Sequence, residues 1–177
     1  GTLEAFNSDG LRTLAQTLNV PNMKEKTLRY PGHIEKILLL RESGFFSNEE
    51  IDVNGVKIKP VDFTSKLLFP IWELKDGDKE FTVVKIIIEG VKENKKVRYS
   101  YNMLDRHDEK TNTHSMARTT GYTATTVLRL LAKGLFDRKG ICPPEYIGQK
   151  PECVDFILNE LKARGVIYNQ VIENLGR

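Results

Sequence analysis

The stretch EFTVVKIIIEGVKENKKVRYSYNML, residues 80–104, constrains the fold more than any other. Phe81, Val83 and Lys85 alternate with Thr82, Val84 and Ile86, and both faces stay largely apolar up to Ile88. A strand apolar on both sides belongs in mid-sheet or at a subunit interface. Val97, Tyr99, Tyr101 and Met103 then alternate with Arg98, Ser100 and Asn102, so the second arm has one wet face. The two arms predict an antiparallel hairpin with its tip near Glu93-Asn94. The basic residues between 92 and 98 fall on that tip and read as a solvated turn rather than a polyanion site.

Around this hairpin the periodicity changes repeatedly. Residues 2–7 alternate as a strand, and Ser8 is placed to accept amide hydrogen bonds from a helix starting near Asp9. Residues 24–30 read as a second strand. A helix is predicted over residues 32–43, stopped by a left-handed Gly44 with Phe45 folded back on the last turn. Asn54-Gly55 predicts a tight hairpin turn. Residues 60–74 look helical, with Pro70 required to kink or end the helix. A long helix over 115–133 closed by Gly134, a turn-rich PPEYIG segment, an amphipathic helix over 152–164 stopped by Gly165, and a strand over 166–173 complete the chain. Helices and hairpins alternate without a regular βαβ rhythm, which favours an α+β fold over a doubly wound sheet.

Bulk properties exclude several classes. A net charge of +3 on 177 residues, with no dense basic stripe and interleaved aromatics, argues against nucleic acid. No apolar run approaches the ~18 residues of a membrane span, and no signal peptide is expected. Cys142 and Cys153 lack the spacing of a zinc site and read as reduced thiols of a cytoplasmic protein, a disulfide or reactive thiol being the alternative. The chain opens on Gly1-Thr2-Leu3, already strand-like and without an initiator Met. A piece of a longer protein is therefore expected.

Two segments could carry chemistry. In TLRYPGHIEKILLL, residues 27–40, a cation, a phenol and an imidazole sit where a strand meets a helix start. Helix N-termini offer unpaired amides and a positive dipole end, which suit an anion. Gly32 lets a ligand approach the backbone, Arg29 offers a planar fork for a carboxylate, and Tyr30 and His33 add hydrogen bonds. The competing reading makes Arg29 a surface ion-pair partner and His33 a polar first-turn residue. In THSMARTTGYTATT, residues 113–126, small side chains crowd one helix, and Gly121 costs ~1 kcal/mol relative to Ala. Such a stripe serves close packing or ligand approach, and Arg118 beside the first-turn amides suits an anion. His107, Asp108 and His114 share a polar loop but lack any recognised ligand spacing, so no metal is expected there. Neither a G-x-G-x-x-G, a P-loop nor a G-x-S-x-G occurs.

Taken as blocks, EAFNSDGLRTL, KTLRYPGHIEKILLLRESGFF, SMARTTGYTATTVLRLLAKG and the tail from PPEYIG to ELKARGV resemble the C-terminal domain of the saccharopine dehydrogenase family. Within that family the likeness is greatest to the lysine 6-dehydrogenase type. It covers nearly the whole chain in order and is weakest over residues 48–80. The resemblance implies a mixed, largely antiparallel sheet with helices on one face, forming a single substrate-binding and dimerisation domain over residues 1–177.

It further implies a nicotinamide-dependent oxidoreductase acting on the C–N bond of lysine or saccharopine, with NAD or NADP held by an N-terminal Rossmann domain. Arg29 would hold the substrate carboxylate with Tyr30 and Gly32 lining the pocket, and His33 would handle the amine proton unless the base lies on the Rossmann portion. Thr119, Thr120 and Gly121 would lie near the substrate or cofactor entrance. Arg118 is the candidate for a second carboxylate clamp, which a saccharopine-using enzyme needs. The hairpin 81–103 would form much of a homodimer interface, and the tail 143–177 would pack on the Rossmann domain. Without the dinucleotide fingerprint, this portion alone is expected to bind no cofactor and to be inactive. The rival expectation is a non-catalytic assembly or ligand-sensing module that keeps the fold.

Overall fold

The computed structural model of the chain describes residues 1–75 and 77–176. They form two compact units, Gly1–Asp76 and Gly77–Arg177.

In the first unit, β1 (Glu4–Asn7) pairs antiparallel with β2 (Lys26–Arg29), with Glu4 opposite Arg29. The expected helix from Asp9 shrinks to one turn, α1 (Leu14–Thr17). Arg12 adopts a positive φ of 47°, which breaks a helix before it can propagate. Ser8 does not cap it; its hydroxyl bonds Glu25 and Thr27 across the β1–β2 pair instead. Next come α2 (His33–Glu42), the hairpin of β3 (Ile51–Val53) and β4 (Val56–Ile58), and α3 (Pro60–Trp72). Gly44 has φ 84° and the Phe45 amide bonds back to Leu40, the glycine stop the sequence predicts for α2. Pro70 lies in the last turn of α3, which ends two residues later. Thr64 is buried and donates to the Phe45 carbonyl at 2.9 Å, tying α3 to the loop after α2. Leu39, Phe63, Leu67, Phe69, Ile71 and Trp72 are all exposed in this chain.

The second unit is built on the hairpin. β5 (Phe81–Lys92) and β6 (Lys95–Arg106) pair in unbroken register from Phe81↔Arg106 to Lys92↔Lys95. Glu93 and Asn94 both take positive φ, the left-handed pair that a two-residue turn matched to strand twist requires. β7 (Asn169–Gly176) covers the other flank of β6, giving the order β5-β6-β7. Among the described residues β5 is thus an edge strand and not a mid-sheet one, because β6 takes the central place, with β7 on its other side. The closing strand starts three residues later than the predicted 166, since Val166 is drawn into the core.

Three helices complete this unit: α4 (Ser115–Ala132), α5 (Pro144–Gly148) and α6 (Pro151–Ala163). The α5 turn occupies the PPEYIG segment, helped by a proline at its first position. α4 packs on α6 and against β5 and β6, so helices cover one face of an antiparallel sheet, an α+β arrangement. Met103, Leu161 and Val166 form one core with Val84 and Tyr122; Leu130, Phe136 and Cys153 form another with Phe156 and Ile157. Complete burial of a side chain such as Leu130 contributes about 2 kcal/mol. Both cysteines are free. Among the described residues no helix is long and apolar enough to cross a membrane.

Candidate functional site

The corner at residues 30–33 is a type II turn. The His33 amide bonds the Tyr30 carbonyl at 3.2 Å, Pro31 presets the first central dihedral, and Gly32 takes φ 89° and ψ −2°. A side chain at Gly32 would be strained at that φ. The amides this turn exposes do bind an anion, and that anion is the chain's own Glu4. Its Oε2 accepts from the Gly32 amide at 3.0 Å and its Oε1 from the Ile34 amide at 2.6 Å. The Ile34 amide is the chief cause holding the Glu4 carboxyl below the usual glutamate range, with the Gly32 and His33 amides and the His33 imidazole adding to it against partial desolvation. His33 stacks on Phe6 with ring centroids 6.2 Å apart. Arg29 and Tyr30 are exposed. Arg29 donates to the Leu28 carbonyl at 2.8 Å, and no carboxylate among the described residues pairs with it.

In the second unit Arg118 is buried and committed. Its Nε and Nη2 reach Asp105, its Nη1 reaches Asp108 at 3.2 Å, and Nη2 also donates to the Arg164 carbonyl at 3.1 Å. Asp105 is 4% exposed. Its hydrogen bond is the main cause of the upward shift of the guanidinium, which burial alone would lower. The cation also lies over the Tyr122 ring. Gly165, with φ 82°, stops α6 and clears space for this group: a Cβ there would stand 3.3 Å from Arg118 Nη2. Thr119 is half-buried and its hydroxyl donates to the Ser115 carbonyl at 2.9 Å. Thr120 is exposed beside Gly121, where an added Cβ would meet nothing within 4 Å. Ala117, Thr120 and Ala124 thus line an open face of α4.

The start of α4 has no side-chain cap of its own. Glu80 supplies one from 36 residues away, its Oε1 accepting from the Met116 amide at 2.9 Å. Its Oε2 lies 3.1 Å from His114 Nδ1. Desolvation pushes the Glu80 carboxyl up, but the Met116 amide and His114 together hold it below the usual range. His107 edges onto the His114 ring, with centroids 5.1 Å apart. Asp108, which the sequence reading grouped with the two histidines, turns to Thr111 and Arg118 instead. Glu4, Glu80 and Asp105 are the residues sequence reasoning missed. Each acts on a partner well removed in sequence, and no local spacing announces them.

The exposed amides at the starts of α2 and α4 are thus taken by the chain's own carboxylates, Glu4 and Glu80, in an antiparallel α+β arrangement that leaves one small-residue face of α4 open. The sequence model described as saccharopine dehydrogenase C-terminal domain matches residues 1–166. The chain belongs to the saccharopine dehydrogenase C-terminal domain family, and the match crosses both compact units. The family is one of oxidoreductases of amino-acid metabolism.

Proposed function

We propose that the chain is the substrate-binding and dimerising part of a nicotinamide-dependent dehydrogenase acting on the C–N bond of lysine or saccharopine. The family match over residues 1–166 carries this reading. The described residues do not fit the nicotinamide cofactor itself: their sheets are antiparallel, and no strand runs into a glycine-rich helix start. NAD or NADP would be held by a Rossmann domain of the parent, against which the open face of α4 at Gly121 and the tail 143–177 would pack.

This chain's own share is binding and proton handling. Arg29, exposed and without a carboxylate partner among the described residues, grips the substrate carboxylate, with Tyr30 beside it. His33 is the candidate to take the amine proton, at the end of a turn that Glu4 already fixes. Arg118 spends its donors on Asp105, Asp108 and the Arg164 carbonyl, which favours lysine over a substrate needing a second clamp. The same commitment, with Glu4 on the α2 amides, is what favours the rival reading of a non-catalytic assembly or ligand-sensing module.

Kinetics of the full-length parent separate the two. Arg29→Ala should raise KM for the amino acid at least tenfold while leaving KM for the cofactor nearly unchanged. Equal effects on both would remove the carboxylate assignment. Absence of cofactor reduction with any diamino acid would favour the rival.

A further inference from the structure

We propose that Glu80, His107 and His114 hold a divalent transition-metal ion of the zinc class, pinning the start of α4 to the base of the hairpin. The inference is independent of the dehydrogenase reading.

Backbone pairing brings the three residues together. The β5–β6 register places Phe81 opposite Arg106, and one step on the His107 amide bonds the Glu80 carbonyl at 3.0 Å. Across the following loop Asp108 and Thr113 pair, each amide bonding the other's carbonyl, at 2.9 and 3.1 Å. His107 and His114 are therefore the next pair outward from that bridge, and Glu80 flanks His107 on its other side. Paired positions in antiparallel ladders project side chains to the same face. Three chain stations are thus fixed before any side chain moves.

The side chains then converge. One ligand atom from each residue lies within 4.8 Å of the other two. Glu80 Oε2 is 3.1 Å from His114 Nδ1 and 3.8 Å from His107 Nδ1. Bond lengths near 2.0–2.1 Å to a tetrahedral zinc put ligand atoms about 3.4 Å apart, a spacing these two contacts bracket. Two imidazoles and one carboxylate form a donor set of intermediate softness, suited to zinc, cobalt or nickel rather than calcium or magnesium.

An independent observation points to an occupant. The His107 side chain is only 6% exposed, and its Nδ1 is buried without a hydrogen-bond partner among the described residues. A buried polar nitrogen lacking a partner is costly, and a metal ion satisfies it. The Met116 amide on Glu80 Oε1 orients the carboxylate, as an outer hydrogen bond does for metal ligands. His114 is 37% exposed, which leaves a route of entry and room for a water as fourth ligand.

The chain, stripped with a chelator and dialysed, is titrated with Zn²⁺ by calorimetry and with Co²⁺ by visible absorption at neutral pH. One equivalent per chain, intense cobalt bands of a low-coordinate site, and a rise in melting temperature with Zn²⁺ are expected. Glu80→Gln and His107→Gln should each weaken binding at least tenfold, while Cys142→Ser leaves it unchanged. Far-UV circular dichroism confirms folding, and if His107→Gln fails to fold, Glu80→Gln decides alone. Absence of stoichiometric binding, unchanged affinity in Glu80→Gln, or loss in Cys142→Ser would each overturn the site.

Discussion

Glu4 and Gly32 lie 28 residues apart, yet the carboxylate of the first holds the amide of the second at 3.0 Å. A strand residue thereby closes the opening turn of a helix that has no side-chain cap of its own. The folded-state carboxyl is held below its ordinary range, chiefly by the Ile34 amide, so its stabilisation is full above the unfolded value and is lost as pH falls through the folded one. Glu4→Gln should melt a few degrees below the parent chain at neutral pH. The gap should close once the pH drops beneath the usual glutamate range. A constant gap across the titration would show that the charge of Glu4 contributes nothing.

Arg118 and Asp105 make the second test. Both are buried, and the pair ties β6 to α4 while Arg118 also reaches the end of α6. Removing one partner strands the other charge away from water, at a cost of about 3–5 kcal/mol. Asp105→Asn should lower the denaturation midpoint sharply. Asp105→Leu combined with Arg118→Met should recover much of that loss. Denaturant melts of Asp105→Asn and of the double variant give the answer.

Thr126 offers a change in the opposite direction. Its side chain is fully buried and its hydroxyl has no hydrogen-bond partner among the described residues. Thr126→Val keeps the shape and removes the unmet group, so it should stabilise the chain by about 1 kcal/mol. Thermal unfolding checks it; a fall in melting temperature would mean that the hydroxyl is satisfied in solution.

The sheet sets the fourth prediction. Val84 and Met103 face the helices, and by the same alternation so do Ile86, Ile88, Tyr99 and Ile172 further along. Ile88 is nevertheless 55% exposed and Ile172 equally so, leaving an apolar platform beyond the helices. Sedimentation should find a dimer or larger species, and Ile88→Asp should shift it toward monomer. A monomer at high concentration would exclude this face as the self-association surface.

Legibility followed the range of the interactions. The hairpin and its tip were readable because alternation and turn residues lie within one short stretch, and α2 because Gly32 and Gly44 bracket it. The first helix was misjudged because a single left-handed residue, Arg12, cuts a run whose apolar spacing is otherwise helical. The last strand was placed early because Val166 obeys the core rather than the pleat. The partners of Arg118, of the α2 amides and of the two loop histidines were invisible for one shared reason. Asp105, Glu4 and Glu80 meet them only once strands have paired, and nothing in their neighbourhoods distinguishes them from solvated acids. Arg118 accordingly read as an available clamp, whereas in the fold it holds the second unit together.

Gly165 answers to two demands at once. Its backbone turns the chain out of α6 through a conformation other residues resist, and its bare Cα leaves the nearest guanidinium its berth. Even alanine at this position would meet a dihedral penalty and an intruding methyl together. A single codon therefore bears on both where a helix finishes and how snugly an interior cation fits.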